Sequence, residues 1–146
     1  MYIFRKKHDP LHENAHTDSL TGLRILVIDD EEHIRNLVRE ICEQKGCIVT
    51  TVDNGNEAMK LFSTAKFDVV ITDMAMPEKD GVETIIEIRQ LHPPVGIVAI
   101  SGVDKRSRLL SLATAFEADV SLKKPFTVNE IVNAIIKAKN KRAWAP

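Results

Sequence analysis

Arg24-Ile25-Leu26-Val27-Ile28-Asp29-Asp30 decides how the rest of the chain is read. The first five residues are a short, mostly apolar run that reads as a strand, and two aspartates end it. Beyond them Ile34, Leu37, Val38, Ile41 and Cys42 recur at i, i+3, i+4, i+7 and i+8, one helix face closing at Gly46. Strand then helix is a beat that the chain repeats. Cys47 to Val52 is β-branched and strand-like, and Ala58, Leu61, Phe62 and Ala65 mark a second helix. Phe67 to Thr72 is a third strand. Asp80-Gly-Val-Glu83 supplies an N-cap and capping box for a third helix carrying Val82, Ile85 and Ile86, which His92-Pro93-Pro94 stops.

Gly96 to Ile100 is the fourth strand, and Leu109, Leu112, Ala113 and Phe116 mark a fourth helix. Asp119 to Leu122 is a brief fifth strand. Thr127-Val-Asn-Glu130 is a second capping box, opening a last helix with Val128, Ile131, Val132, Ile135 and Ile136 facing inward. Five strands alternating with five helices, several strands having no wet face, describe an α/β fold: a parallel sheet covered on both sides. The flavodoxin-like strand order 2-1-3-4-5 is the expected topology. The period occupies residues 23–140 as one domain, with a flexible arm over 1–22 and a tail over 141–146.

Composition agrees with one soluble globular unit. A chain of 146 residues, 44% apolar and 28% charged, can build a core without staples. Twenty Lys and Arg against 21 Asp and Glu leave a net charge of −1, which excludes bulk attraction to nucleic acid or an anionic membrane. Any charge-driven function is therefore local. Two cysteines, Cys42 and Cys47, are too few for a disulfide framework; Cys42 on its apolar stripe reads as a reduced, buried thiol. No apolar run is long enough to span a bilayer or serve as a secretory signal, so a cytoplasmic location is expected. His8, His12 and His16 lie in the arm, where Pro10 argues against the helix that a metal site at this spacing needs. The basic end, Lys137, Lys139, Lys141 and Arg142, reads as a solvated helix terminus.

In open α/β sheets ligands bind beyond the carboxyl ends of the strands, near the switch in strand order. Asp29 and Asp30 follow strand 1, with Glu31 and Glu32 next; Asp73 follows strand 3, Ser101 strand 4, and Lys123-Lys124-Pro125 strand 5. Taken singly, the Asp pair is a helix N-cap, Asp73 and Ser101 turn residues, and Lys124 a solvated charge. Their falling at one sheet edge in consecutive order points elsewhere. Three converging carboxylates repel one another and call for a hard cation with oxygen ligands, and Mg2+ suits an incomplete cage that a phosphate finishes. Other phosphate chemistries lack their parts. No glycine-rich phosphate loop follows a strand. The residues two after Asp29 and Asp73 are Glu31 and Ala75, not the second Asp of a haloacid dehalogenase-type phosphatase. No Ser/His/Asp triad forms, with His33 on the first helix and His92 at the opposite sheet end.

These residues resemble a receiver domain of the two-component response regulator family. The match runs from Leu23 to about Lys139 and rests on Val27-Ile-Asp-Asp30, Ile71-Thr-Asp-Met-Ala-Met-Pro77 with Asp80-Gly81, Ile100-Ser-Gly102 and Leu122-Lys-Lys-Pro-Phe126. Together these motifs are highly specific. The resemblance implies that Asp73 is the phosphoacceptor and Asp30 a direct Mg2+ ligand. Asp29 would be a mainly water-mediated ligand and the Ala75 carbonyl a further one. It makes Lys124 the family's invariant lysine, Ser101 the switch hydroxyl, and the Lys124-Pro125 bond a cis peptide. It also implies a signalling domain rather than an enzyme, served by a sensor histidine kinase or phosphotransfer protein and answering to a downstream protein target.

Three positions depart from the family pattern. Ser121 stands where an aromatic residue often reports activation. Ala75 and Val103 flank the site with side chains unable to orient an attacking water, so slow self-dephosphorylation is expected. Glu117 replaces a frequent Gly after the fourth helix. The leading expectation is a stand-alone phosphorelay regulator, with a pseudo-receiver interaction module or a fragment of a hybrid kinase or larger regulator as alternatives. The face bearing Lys105, Arg106 and Arg108 leaves homodimerisation open.

Overall fold

The computed structural model describes residues 20–74, 81–102 and 117–143. Strand β1 (Arg24–Ile28) leads to helix α1 (Glu32–Gln44), then β2 (Ile48–Val52), α2 (Gly55–Phe62), β3 (Val69–Asp73), α3 (Gly81–Leu91), β4 (Gly96–Ser101), β5 (Val120–Lys123) and α4 (Val128–Ala143). Every strand pairing is parallel and the order is β2-β1-β3-β4-β5, the topology expected from the strand–helix beat. The helix expected over Leu109 to Phe116 lies outside the described residues, as do the three arm histidines and Asp80.

Alternation along each central strand feeds two cores. Ile25, Val27, Val69, Ile71, Val98 and Ile100 pack on the side of α1 and α4. Leu26, Ile28, Val70, Ile97 and Ala99 pack on the side of α2 and α3. Burial on both faces is what makes these strands continuously apolar. Edge strand β2 is wetter, with Ile48 exposed.

Local signals fix the helix ends. Asn54 caps α2 by accepting from the Glu57 N–H at 2.9 Å. Thr127 and Glu130 form the reciprocal box of α4, at 3.1 and 2.9 Å. At the end of α1, Gly46 adopts φ +89°. The Cys47 and Gly46 N–H groups then return to the carbonyls of Cys42 and Glu43, a Schellman motif.

Four expectations need correcting. Leu37, Ile86 and Val128 are exposed rather than inward. Leu37 sits on the flank of a stripe centred on Val38, Ile41 and Cys42. In α3 the buried set is Gly81, Thr84, Ile85 and Ile88, which turns Ile86 outward. Val128 lies in the first turn of α4, before its buried run begins at Ile131. Second, residues assigned to the arm belong to the fold: Leu20 is buried in the α1 and α4 core, and the Gly22 N–H donates to the Gly46 carbonyl at 2.8 Å. Third, α4 continues past 140 to Ala143. Fourth, Arg142 is no solvated terminus: its Nε and Nη2 donate to Asp119 Oδ1 at 2.8 and 2.6 Å. Among the described residues no helix is long and apolar enough to cross a membrane.

Candidate functional site

Sheet register builds the site. Ile28 pairs with Thr72, so Asp29, one residue on, faces Asp73 across the β1–β3 boundary. Asp73 itself ends β3 and pairs with Ile100, which sets Ser101, the last residue of β4, at the same edge. Lys124 follows β5, its N–H donating to the Ser101 carbonyl at 2.8 Å. The Lys124-Pro125 peptide is cis.

Carboxylate oxygens of Asp29, Asp30 and Asp73 all lie within 4.8 Å of one another, Asp30 exposed and the other two buried. Lys124 Nζ reaches into this group, 3.4 Å from Asp29 Oδ2 and 3.5 Å from Asp73 Oδ2. Its nearest partner is Glu31 Oε1, at 3.0 Å. Burial works to lower the lysine's pKa, but the charges of Asp29 and Asp73 and the Glu31 hydrogen bond together hold it above its usual value. The same lysine pulls the Glu31 carboxyl below the ordinary range. Ser101 is buried at the sheet edge. The carbonyl of Ala75 lies outside the described residues.

Asp29 carries the conflict in the site. Its Oδ1 accepts from the Glu31 N–H at 2.9 Å, and its backbone carbonyl accepts from Arg35 Nη1 at 2.7 Å. These bonds hold the acidic loop at the start of α1, whose own N-cap, Glu31, makes no side-chain cap bond. Asp29 Oδ2, however, is buried with no hydrogen-bond partner and only the longer ion-pair contact to Lys124. Burial pushes this carboxyl up to about 6; the Glu31 amide opposes the rise and the nearby Asp73 charge adds to it. A buried, orphaned oxygen among two further carboxylates is what a hard divalent cation would satisfy. The three aspartates, Glu31 and Lys124 sum to a formal −3, an excess of negative charge that such an ion would offset.

Gly81, at the start of α3, lies where any side chain would collide with the strand that ends in Asp73. A Cβ there would sit 2.6 Å from Met74 Cα and closer still to the Asp73 carbonyl. The Gly81 N–H donates to the Met74 carbonyl at 3.1 Å, tying α3 to the site. Glu31 and Gly81 are the site-shaping residues that sequence reasoning did not single out for these roles. Nothing local to Glu31 announces a bond to a lysine 93 residues away.

Comparison with known proteins agrees with this arrangement. A family model described as "Response regulator receiver domain" matches residues 25–136. The chain is 31% identical over 112 residues to chemotaxis protein CheY of Halobacterium salinarum, covering 77% of this chain and 92% of that protein. It is 36% identical over 116 residues to alkaline phosphatase synthesis transcriptional regulatory protein PhoP of Bacillus subtilis, covering 79% of this chain but 47% of that one. A response regulator receiver domain protein from Clostridium thermocellum superimposes with a TM-score of 0.74 at 32% identity, over 83% of this chain and 97% of that chain. Response regulator protein TrrA from Thermotoga maritima, crystallised in complex with Mg(2+)-BeF, superimposes with a TM-score of 0.68 at 36% identity, over 80% and 98%. With its strand order and acidic edge as described, the chain belongs to the response regulator receiver domain family.

Proposed function

We propose that this receiver takes a phosphoryl group onto Asp73 from the phosphohistidine of a sensor kinase or phosphotransfer protein. The observation that carries the reading is the convergence of Asp29, Asp30 and Asp73 with Lys124 at one strand edge. An Asp73 carboxylate oxygen attacks phosphorus, the P–N bond to the donor imidazole breaks, and an acyl phosphate remains. Lys124, freed from Asp73 by that reaction, pairs with a phosphoryl oxygen, and the Ser101 hydroxyl donates to another. Asp29, Asp30 and Asp73 would hold Mg2+, which when bound neutralises charge on the transferring group. The Mg(2+)-BeF complex of TrrA supports the same chemistry in a relative.

The chain's own catalysis extends no further than its phosphorylation and a slow dephosphorylation, since Ala75 and Val103 offer no polar group to a water. Ser101 drawn inward biases a two-state loop, and the message passes by contact with a downstream protein in the cytoplasm. The test is a Phos-tag gel after acetyl phosphate and Mg2+. A retarded band is expected for the wild type and none for Asp73→Asn; an equally retarded Asp73→Asn overturns the assignment.

A further inference from the structure

Cys42 and Cys47 occupy the two positions of the α1 Schellman motif whose side chains meet, the third residue from the helix end and the second beyond its cap. Most chains fill these positions with a hydrophobic pair; here both are thiols. The Cys47 N–H bonds to the Cys42 carbonyl at 3.1 Å, which fixes the backbones, and both side chains belong to one buried core cluster. Both are reduced and buried. Leu20 and Gly22 strap over them, the Cys47 thiol donating to the Leu20 carbonyl at 3.4 Å and the Gly22 N–H to Gly46 at 2.8 Å.

We propose that Cys42 and Cys47 form a redox modification site that closes to an intramolecular disulfide when a two-electron oxidant of the peroxide class reaches them. Cys47 reacts first. It is the more exposed of the two, at 6% against 1%, and the neighbouring thiol shifts the pair in opposite directions, Cys47 toward its thiolate and Cys42 away from it. The Cys47 sulfur attacks one peroxide oxygen, the O–O bond breaks, and the departing hydroxide is protonated to water. Cys42 then attacks the sulfenic sulfur, the S–O bond breaks, and a second water leaves with the Cys42 proton. Two thiols are oxidised by two electrons and one peroxide is reduced to two waters.

The test is hydrogen peroxide on the folded full chain, followed by denaturation, iodoacetamide and intact-mass measurement. The expected product loses the mass of two hydrogens, resists alkylation until a phosphine reduces it, and stays monomeric on a non-reducing gel. Cys42→Ala, lacking the resolving thiol, is expected to accumulate a dimedone adduct on Cys47 that the wild type does not. Two alkylatable thiols after peroxide, a disulfide-linked dimer, or a sulfinate in place of the disulfide would each overturn the proposal.

Discussion

At Asp29 two demands oppose each other. Burial beside Asp73 disfavours the charge, yet the site gathers three carboxylates into a group that could hold a cation. A folded-state pKa of about 6 against 3.8 means that the native protein binds more protons than the unfolded chain between those values. Metal-free stability therefore falls as pH rises from about 4 to 6, the full penalty standing above 6. The shift, in which the lowering by Lys124 is already included, corresponds to about 3 kcal/mol. Asp29→Asn removes the charge without removing the shape. In EDTA at pH 7 it is expected to gain about 1–2 kcal/mol in urea denaturation, and to lose most of the wild type's pH dependence in that window. A variant no more stable than wild type at pH 7 would show that Lys124 already neutralises this carboxylate. The same burial makes protons compete with Mg2+, so the Mg2+-induced rise in Tm is expected to shrink as pH drops below 6. Equal Tm shifts at pH 5 and 7.5 would contradict that.

Elements transmit these residue effects through their ends. Gly81 begins α3 against the backbone that carries Asp73, and its missing side chain is what allows that approach. Gly81→Ala must move either α3 or the end of β3. It is expected to cost about 1–3 kcal/mol, as overpacking does, and to slow acetyl phosphate labelling of Asp73 even where the protein stays folded. Labelling at the wild-type rate would show that the helix, not the site, absorbs the clash. Thr127→Ala, at the start of α4, is expected to lose about 1 kcal/mol by freeing the Glu130 N–H, with labelling unchanged. The difference between these variants also marks what a sequence can reveal. The Thr127 box, the helix stop at Gly46 and the apolar strands were readable because their causes lie within a few residues. Asp29, Asp73 and Lys124 were readable because strand ends share an edge once the topology is known. The Glu31–Lys124 bond and the Gly81–Asp73 approach join segments far apart in the chain, so no local pattern encodes them. Leu37 and Ile86 misled because apolar identity does not tell which edge of a stripe the neighbouring helices leave uncovered.

On the scale of the whole molecule, the sheet carries charge clusters at its two ends with opposite logic. At the carboxyl edge Asp29, Asp73 and Glu31 share one lysine. At the other edge Asp119, its side chain fully buried, holds two arginines: Oδ1 accepts from Arg142, and Oδ2 accepts from Arg89 Nη2 at 3.0 Å and from the Ile97 N–H at 2.8 Å. Arg89 also donates to the carbonyls of Glu117, Pro93 and Val95, so the cluster binds the end of α3, the starts of β4 and β5, and the end of α4. Among the described residues no buried side-chain polar atom at this pole lacks a partner, as expected of a structural cluster, whereas Asp29 Oδ2 at the other pole does lack one. Asp119→Ala leaves two partly buried guanidinium groups facing each other and the Ile97 N–H unpaired. A loss of about 3–5 kcal/mol is expected, as when a buried pair is broken from one side. Arg142→Ala, which leaves Arg89 to neutralise Asp119, should cost clearly less. Because the poles are separated by the length of the strands, the Mg2+ dissociation constant of folded Asp119→Ala, followed by Tm shift, is expected to stay within about twofold of wild type, as for independent sites. A tenfold weakening would show that α3 and α4 carry strain from one end of the sheet to the other, and that the structural pole helps set the geometry of the acidic one.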